Sequence, residues 1–333
     1  MLLPKKFTDE SKINFVHTSS PALKSDLKEF KRLLEALKKT HKAVNVFDVE
    51  RKQLDPRYLA ASENERLKKL KQAIKEVDWL CPIYGGTGCG DIIRYLNEVD
   101  LLRLKRNRPI VNGFSDTTFL LNYLYFKLKL RTFHYANACG LLGKNNYKQF
   151  FDIISGELTE YGYRRKAYHW LSPNEGPKEK IEGIAIGGNL STFRDLLDVC
   201  DIKPRSWEEY ILFIEDLDVD MEDLHRIIIS LDQRGLFMHL KAVVLGAMDE
   251  RSFEKAWNKL NFLFGDKKKV DHVFEYLISD VIEERTEDRD PLYILKVDNF
   301  GHGITKDPMI LPIGAKTVIH PDGKIEFIGP FVE

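Results

Sequence analysis

The first half of the chain alternates strand-like and helix-like segments, and this alternation restricts the possible folds more than any other feature. Short runs of β-branched and aromatic residues are each followed by a segment with apolar residues at helical spacing. Strands are expected at FVHTSS, 43–49, 78–84 and PIVNG, and helices at 22–39, 64–77, 90–97 and 117–129. Repeated strand–helix–strand units predict a mostly parallel sheet with helices on both faces, and such sheets bind ligands at the carboxyl ends of their strands.

The second half has a different mixture of elements, which predicts a smaller, β-rich α/β domain. Strands are expected at IEGIAIGG, YILFIED, LKAVVLGAM, PLYILKV and TVIHPDGKIEFI, with helices near 190–198, 221–235, 251–263 and 269–284. Residues 156–182 lose periodicity and are rich in Gly, Pro, Lys and Glu, as expected of a connection between domains. The sequence therefore predicts an N-terminal α/β domain over residues 1–160, a linker or loop over 161–182 and a C-terminal domain over 183–333.

The charge balance and the cysteine pattern exclude several classes of function. Lys plus Arg and Asp plus Glu each number 51, whereas a nucleic-acid-binding protein needs a basic excess on one face. No apolar run approaches the ~20 residues of a membrane span. The N-terminus MLLPKKFTDESKINF also lacks the apolar core of a signal peptide, so a cytoplasmic protein is expected. The scattered cysteines and the absence of a metal-binding histidine motif predict neither a disulfide framework nor a metal site.

Ser115 follows the predicted strand PIVNG and precedes a predicted helix, in the stretch IVNGFSDTTFL. Ser and Asp are favoured N-cap residues, so the pair Ser115–Asp116 is consistent with simple capping of that helix. Gly113 is not explained by capping. A glycine two residues before the serine is typical of the G-x-S-x-G nucleophile elbow, although Thr117 replaces the second glycine here. On its own the motif favours capping and leaves a nucleophile open.

The glycine-rich loop 84-YGGTGCGD-91 also ends a predicted strand. Its spacing matches neither G-x-G-x-x-G nor the phosphate loop of nucleotide-binding proteins. Unobstructed backbone N–H groups at a strand end can still stabilise an oxyanion. Cys89, close to the expected start of a helix, is a rival nucleophile, although a buried packing role is the commoner one for a lone cysteine.

Glu215 and His302 each stand at or just beyond the end of an apolar strand. Glu215 closes the run ILFI, and His302 lies between two glycines in DNFGHGIT, after the strand PLYILKV. The alternative to a site role for Glu215 is that of an ordinary acidic residue at a strand end, facing water. Together with Ser115 the three residues occur in the order nucleophile, acid, base, which provides every role that hydroxyl nucleophilic catalysis requires.

These segments resemble one known family, the LD-carboxypeptidase and microcin-immunity serine peptidases. The matching segments span nearly the whole chain: TSSPAL, 58-YLAASENERLKKLKQAI-74, YGGTG, GFSDTT, IGGNLSTF (186–193), LFIED, LKAVVLGAM, and FGHG followed by LPIG. The joint occurrence of GFSD, GGNL, IED and FGH in this order is far more specific than any one of them.

The resemblance implies a fold and a site. It implies a flavodoxin-like parallel-sheet N-terminal domain, a smaller β-rich C-terminal domain, a site between them and a homodimer. It assigns Ser115 as nucleophile, Glu215 as the acid and His302 as the general base, with no cofactor. It also implies an oxyanion hole formed by backbone N–H groups near Gly86 and of Asp116.

Two branches of the family offer different substrates. LD-carboxypeptidases cleave the L,D-peptide bond of murein tetrapeptides during cell-wall recycling, and the resemblance makes this the leading hypothesis. The microcin-immunity branch cleaves amides that join an aminoacyl or peptidyl group to a nucleotide-like portion. Several segments resemble this second branch more: VDLLRLKRNRPIVNGFSD, the following RTFHY, and DPM before LPIG. The chain departs from the family pattern at Thr87 and Cys89 in the glycine loop and at Gly303 after FGH, where IT looks inserted. These departures bear on substrate specificity.

Four further residues are candidates for substrate contacts. Trp170 could stack on a base or ring, with anchoring of the linker as the alternative. Asn189 belongs to the GGNL segment. Arg94 and Arg194 could bind a carboxylate or phosphate, with helix-surface roles as the alternative. Two rival classes are disfavoured. A non-catalytic binding protein would not need a complete set of nucleophile, acid and base, and an ordinary α/β-hydrolase esterase should carry an HGGG segment, which is absent here.

Overall fold

A computed structural model describes residues 1–53, 55–202, 204–248 and 292–333 of the protein. Within them the α-helices are α1 (Asp26–Thr40), α2 (Glu63–Ala73), α3 (Cys89–Ile93), α4 (Glu98–Asn107), α5 (Thr118–Leu128), α6 (Tyr147–Ile154), α7 (Leu190–Leu196) and α8 (Met221–Gln233). The strands are β1 (Ile13–Val16), β2 (Val44–Phe47), β3 (Trp79–Pro82), β4 (Ile110–Gly113), β5 (Thr132–His134), β6 (Glu160–Tyr163), β7 (His169–Ser172), β8 (Ile181–Asn189), β9 (Tyr210–Asp216), β10 (Ala242–Met248), β11 (Tyr293–Lys296), β12 (Leu311–Ile313), β13 (Lys316–Ile319) and β14 (Ile325–Ile328). The helices predicted at 251–263 and 269–284 lie outside the described residues.

The first sheet confirms the predicted flavodoxin-like arrangement. In the described part of the chain its strand order is β12-β5-β4-β3-β1-β2, and β1 to β5 run parallel. The central strands β1, β3 and β4 are buried along their whole length, because helices cover both faces of a parallel sheet. The order 2-1-3-4-5 is the doubly wound order of flavodoxin-like folds, which bind ligands at the carboxyl edge.

The second sheet is curled. Its order within the described residues is β6-β14-β13-β8-β9-β10-β11-β7, so β6 and β7 form its two edges. The chain passes from Tyr163 at the end of β6 to His169 at the start of β7, which spans at most about 20 Å at the reach of an extended chain. Eight flat strands would separate these edges by about 34 Å. The sheet must therefore bend until its edges approach each other.

The expectation that residues 161–182 form a linker or loop is wrong. The segment supplies most of β6, all of β7 and the start of β8. In β6 the tyrosines Tyr161 and Tyr163 are buried, whereas Glu160 and Gly162 are exposed, which is the period-two pattern of a strand with one buried face. The surrounding Gly, Pro, Lys and Glu residues mask this short pattern in the sequence.

The two sheets meet through helix α5, which is buried along most of its length. The Asn122 side chain donates to the Gly187 carbonyl at 2.8 Å and accepts from the Gly187 N–H at 3.0 Å. The Thr118 hydroxyl accepts from the Asn189 N–H at 3.0 Å. A Cβ on Gly188, whose φ is +132°, would lie 2.6 Å from that hydroxyl. The glycines of GGNL thus allow the end of β8 to approach the start of α5, which brings the carboxyl ends of strands from both sheets together.

Candidate active site

Ser115 stands at a strained corner between β4 and α5. Its φ is +63°, in the left-handed region that costs an L-residue about 1–2 kcal/mol. Helix α5 begins at Thr118 and is preceded by Thr117, so Ser115 does not occupy its N-cap position. The capping interpretation is therefore wrong, and strain of this kind is typical of functional turns.

The corner is braced by two side chains that bond to the backbone of Phe114. The Thr117 hydroxyl accepts from the Phe114 N–H at 2.6 Å and lies 2.9 Å from the Phe114 carbonyl. The Asn137 side chain bonds the same N–H and carbonyl, both at 3.1 Å. A Cβ at Gly113 would lie 2.3 Å from the Thr117 hydroxyl, which explains the glycine. Thr117 thus fixes the turn where the general motif has its second glycine.

The glycine loop after β3 lies directly against this corner. A Cβ on Gly85 would be 3.2 Å from the Ser115 Cβ. Gly86 has φ +100°, and a Cβ there would lie 2.3 Å from the Ser20 hydroxyl oxygen. That hydroxyl accepts from the Thr87 N–H at 3.1 Å. The loop therefore presents bare backbone beside Ser115, as oxyanion stabilisation requires.

Cys89 begins α3, as expected, but it is fully buried. Burial raises the pKa of its thiol well above the ordinary value, and the nearby Asp116 carboxylate adds to this effect. The Cys89 N–H donates to the Asp116 carboxylate at 2.9 Å. Burial also raises the pKa of Asp116 to about 6, against hydrogen bonds from Ser19 and Cys89 that lower it. A protonated buried thiol is a poor nucleophile, so these data oppose the rival role of Cys89.

We expect thiol alkylation to leave catalysis intact. All four cysteines are buried and unpaired. Iodoacetamide treatment of the folded protein at pH 8 should change kcat/KM by less than twofold, and Cys89→Ala should retain most activity. Turnover after alkylation, with labelling followed by mass spectrometry, measures both points. Stoichiometric labelling of Cys89 with parallel loss of turnover would contradict the expectation.

Arg66 on α2 anchors the loops that follow β1 and β3. Its buried guanidinium donates to the carbonyls of Ala61 at 3.1 Å, Thr18 at 2.5 Å and Gly88 at 2.6 Å. It also forms an ion pair with Asp91 at 3.2 Å. One planar fork of donors thus joins three segments behind the glycine loop, a geometry that a point charge cannot reproduce.

Replacing this fork with a lysine should destabilise the fold. We expect Arg66→Lys to lower the free energy of unfolding by about 2 kcal/mol, since buried carbonyls lose their donors. Urea denaturation measures the change. Arg94→Lys is the matched control, because Arg94 is exposed and lies over the Tyr95 ring at 5.0 Å. A loss at position 66 no larger than the control's would contradict the anchoring role.

Glu215 and His302 form a hydrogen-bonded pair. His302 Nδ1 lies 2.5 Å from Glu215 Oε2, and the His302 backbone N–H donates to the same oxygen at 3.1 Å. Glu215 is fully buried at the end of β9, so it is not a strand-end acid facing water. A carboxylate at Nδ1 favours the tautomer whose Nε2 is free to accept a proton. This is the arrangement of an acid that orients a general base.

The charges around His302 set its protonation. Burial lowers the pKa of His302, but the charge and hydrogen bond of Glu215, with a further contribution from Asp216, raise it above the ordinary value. Lys144 acts in the opposite direction. His134, packed 5.0 Å from the Phe114 ring, has its pKa lowered to about 3 by burial and by His302, so it stays neutral.

A cleft of about 550 Å³ brings most of the predicted site residues together. Among the residues that line it are Gly86, Thr87, Ser115, Asp116, Asn189 and His302. Asn189 caps α7 through Thr192 and donates to the Asp216 carboxylate at 2.8 Å, so its amide also has a structural role. The described lining carries aspartates at 116, 195, 216 and 218 and no lysine or arginine. Arg194 pairs with Asp195 from outside this lining, and the other three carboxylates favour cationic groups of a ligand here.

Three residues considered for substrate contacts do not line this cleft. Trp170 lies in β7, where its indole N–H donates to the Pro321 carbonyl at 2.8 Å. It therefore anchors the segment 161–182, which was predicted to be a linker. Arg94 is exposed on the surface. Arg194 pairs with Asp195 at 2.9 Å and borders a neighbouring depression.

Other functional residues carried little signal in the sequence. Asn137, Arg66 and Asp216 act through contacts between distant segments, and their residue types are ordinary for turns and helices. Asp216, for example, accepts from the N–H of Ser191 at 2.9 Å across 25 positions. Within the described residues no group of three or more His, Cys, Asp or Glu side chains could hold a metal. No described helix is both long and apolar enough to cross a membrane.

Two models of one protein family match the chain. Residues 13–135 match the family model of the LD-carboxypeptidase N-terminal domain, and residues 182–319 match that of the C-terminal domain. The chain belongs to the LD-carboxypeptidase family. It is thereby a hydrolase of the serine peptidase class, as the resemblance implied.

Individual relatives come from both branches. The chain is 32% identical over 190 residues to a probable murein peptide carboxypeptidase of Bacillus subtilis, covering 54% of this chain and 55% of that protein. It is 25% identical over 295 residues to the microcin C7 self-immunity protein MccF of Escherichia coli, covering 80% and 77%. A solved structure of MccF in complex with glutamyl sulfamoyl guanosine superposes with a TM-score of 0.76 at 19% identity and covers both chains completely. At that identity the superposition shows the fold alone.

Proposed function

We propose that the protein is a serine carboxypeptidase that hydrolyses the L,D-peptide bond of murein tetrapeptides with Ser115, Glu215 and His302. One observation carries the proposal: His302 is held by a buried carboxylate 2.5 Å from Nδ1 and lines the same cleft as a serine on a strained corner. The family and the murein peptide relative supply the substrate class.

The proposed mechanism is acyl transfer in two steps. His302 Nε2 takes the proton from Ser115 Oγ as this oxygen attacks the scissile carbonyl, and Glu215 stabilises the imidazolium that forms. The N–H groups of Gly86 and Asp116 hold the oxyanion. His302 then protonates the departing amine, and water, activated by the same imidazole, hydrolyses the acyl-enzyme.

A second candidate is hydrolysis of aminoacyl-nucleotide conjugates. It is favoured by the relationship to the microcin C7 self-immunity protein, which extends over 80% of this chain. Both substrate classes present a free ammonium group, which the aspartates of the described lining would attract. Homodimer formation and a cytoplasmic location are further predictions from the sequence.

Product release from two substrates decides between the branches. One substrate is a murein tetrapeptide ending in D-alanine and the other is an aminoacyl sulfamoyl-adenosine, with products followed by mass spectrometry. We expect D-alanine release by the unmodified protein and none by Ser115→Ala. Cleavage of the adenosine conjugate alone would place the chain in the immunity branch. Equal inertness of both proteins on both substrates would reject the hydrolase proposal for these classes.

A further inference from the structure

The loop that carries His302 crosses between the two sheets. It leaves β11 of the eight-stranded sheet and enters β12 of the six-stranded sheet, and we call residues 299–309 the base loop. On the side of the eight-stranded sheet, Glu215 bonds His302 and the Ala247 N–H donates to the Phe300 carbonyl at 2.7 Å. These contacts fix only the beginning of the loop.

The end of the base loop is tied back to Asn299, whose Nδ2 donates to the Asp307 carbonyl at 3.1 Å and whose carbonyl accepts from the Met309 N–H at 2.7 Å. Further contacts to residues 304–308 come from the N-terminal half of the chain. Residues 144–146, with the sequence Lys-Asn-Asn, precede α6, and we call them the clamp. Lys144 Nζ donates to the Ile304 carbonyl at 2.6 Å. The Asn145 N–H donates to the Thr305 carbonyl at 3.3 Å, and Asn145 Oδ1 accepts from the Asp307 N–H at 2.6 Å.

Asn146 connects the clamp to the strand that presents the nucleophile. Its Nδ2 donates to the Pro308 carbonyl at 2.8 Å, and its Oδ1 accepts from the Tyr135 hydroxyl at 2.8 Å. The Tyr135 N–H in turn donates to the carbonyl of Gly113, the last residue of β4, at 2.8 Å. A continuous series of hydrogen bonds therefore runs from the strand before Ser115 to the end of the base loop.

Lys144 occupies an unusual place for a lysine. Its half-buried ammonium group lies 5.6 Å from the centre of the Phe114 ring, and that ring lies 4.6 Å from the ring of His302. Burial lowers the pKa of Lys144, against the opposite effect of Glu215 and Glu29. A partly desolvated cation costs free energy unless its contacts are favourable, and the contact found here is with the base loop.

We infer that the clamp positions the general base, and that Lys144 and Asn145 are positioning residues for the reaction. The catalytic part of this inference rests on the proposed hydrolase function. A shift of about 1 Å in a catalytic group can lower the rate by up to about 100-fold, so a loosened base loop should slow chemistry more than substrate binding.

The kinetic test uses Lys144→Met and Asn145→Ala, with Lys148→Met as the matched control. Lys148 is exposed one turn further along, on α6. We expect each of the two clamp variants to lower kcat about tenfold with KM changed less than twofold, and the control to match the unmodified protein. Because both variants release the same loop, their combined effect on kcat should be smaller than the product of the single effects.

Hydrogen–deuterium exchange tests the clamp without any substrate. We expect the peptide covering residues 299–309 to take up deuterium at least tenfold faster in both clamp variants than in Lys148→Met. Uptake equal to the control's would overturn the inference, whether or not the proposed substrates are cleaved. Faster uptake with unchanged kcat would show a purely structural clamp and would overturn the catalytic assignment. Circular dichroism confirms in each case that the variant is folded.

Discussion

Ser115→Ala should lower kcat by about 10⁴-fold or more, to the background set by the oxyanion groups and binding alone. The variant keeps the Cβ and therefore the backbone geometry at φ +63°, so the cleft should be retained. Turnover of the cleaved substrate measures the loss, and binding of intact substrate to the inactive variant shows that the cleft persists. Substantial residual turnover would exclude Ser115 as the nucleophile.

Ser115→Gly separates the chemistry of this residue from its strain. Glycine adopts positive φ without the steric cost that an L-residue has there. We expect the glycine variant to be as inactive as Ser115→Ala but more stable than it by about 1 kcal/mol, because the left-handed strain is relieved. Urea denaturation of the two variants gives the difference. Equal stabilities would mean that the corner is not strained as its φ indicates.

Glu215→Gln should lower kcat/KM by about 10³–10⁴-fold, because an amide neither favours the required tautomer nor stabilises the imidazolium. The side chain keeps its shape at the buried end of β9. Glu209→Gln, at an exposed residue immediately before the same strand, is the matched control and should retain full activity. Activity of Glu215→Gln within tenfold of the control would exclude Glu215 from the reaction.

The residual activity of Glu215→Gln should also have a shifted pH dependence. Burial lowers the pKa of His302, and Glu215 with a smaller contribution from Asp216 outweighs this effect. Without the Glu215 carboxylate, burial and the Lys144 charge are opposed by Asp216 alone, so the pKa of His302 should fall. A general base acts in its neutral form, so activity rises with pH through this pKa. The acid limb of kcat/KM should therefore move to lower pH in the variant. If the acid limb of the variant's pH profile stayed at the same pH, that limb would report the ionisation of a group other than His302.

Much of the fold could be predicted from local patterns. The strand YILFIED was predicted and occurs as β9 (Tyr210–Asp216). The helices predicted within the described residues are also present, with their ends shifted. Helices α4 and α6 and the short strands β5 and β12 were not predicted. A strand of three residues such as β12 is too short to show a period, and its partner is 177 positions or more away in sequence, as the pairing of Leu311 with His134 illustrates.

The candidate site was predictable where chemistry and position coincide in a short motif. GFSD, IED and FGHG each place one candidate side chain at or just beyond a strand end. Parallel strands β9 to β11 bring Glu215 and His302 to one edge of the eight-stranded sheet, whereas Ser115 follows β4 of the other sheet and reaches them only where the two sheets meet. Trp170 was considered for a substrate contact from a loop, but it lies in a strand. An aromatic residue in a Gly- and Pro-rich segment is compatible with either a loop or an edge strand. Only its pairing in β7, opposite Leu295, decided the matter.

The sequence by itself determined the alternation of elements and the doubly wound sheet, because these depend on short-range periodicity, and its family resemblance named the three candidate catalytic side chains. The tertiary structure alone decided how those side chains are held. The contacts of Arg66 with Gly88, of Asn137 with Phe114 and of Lys144 with Ile304 join residues 22, 23 and 160 positions apart. Such contacts leave no period in the chain, because hydrogen bonds between distant segments depend on where the folded backbone brings each donor and acceptor.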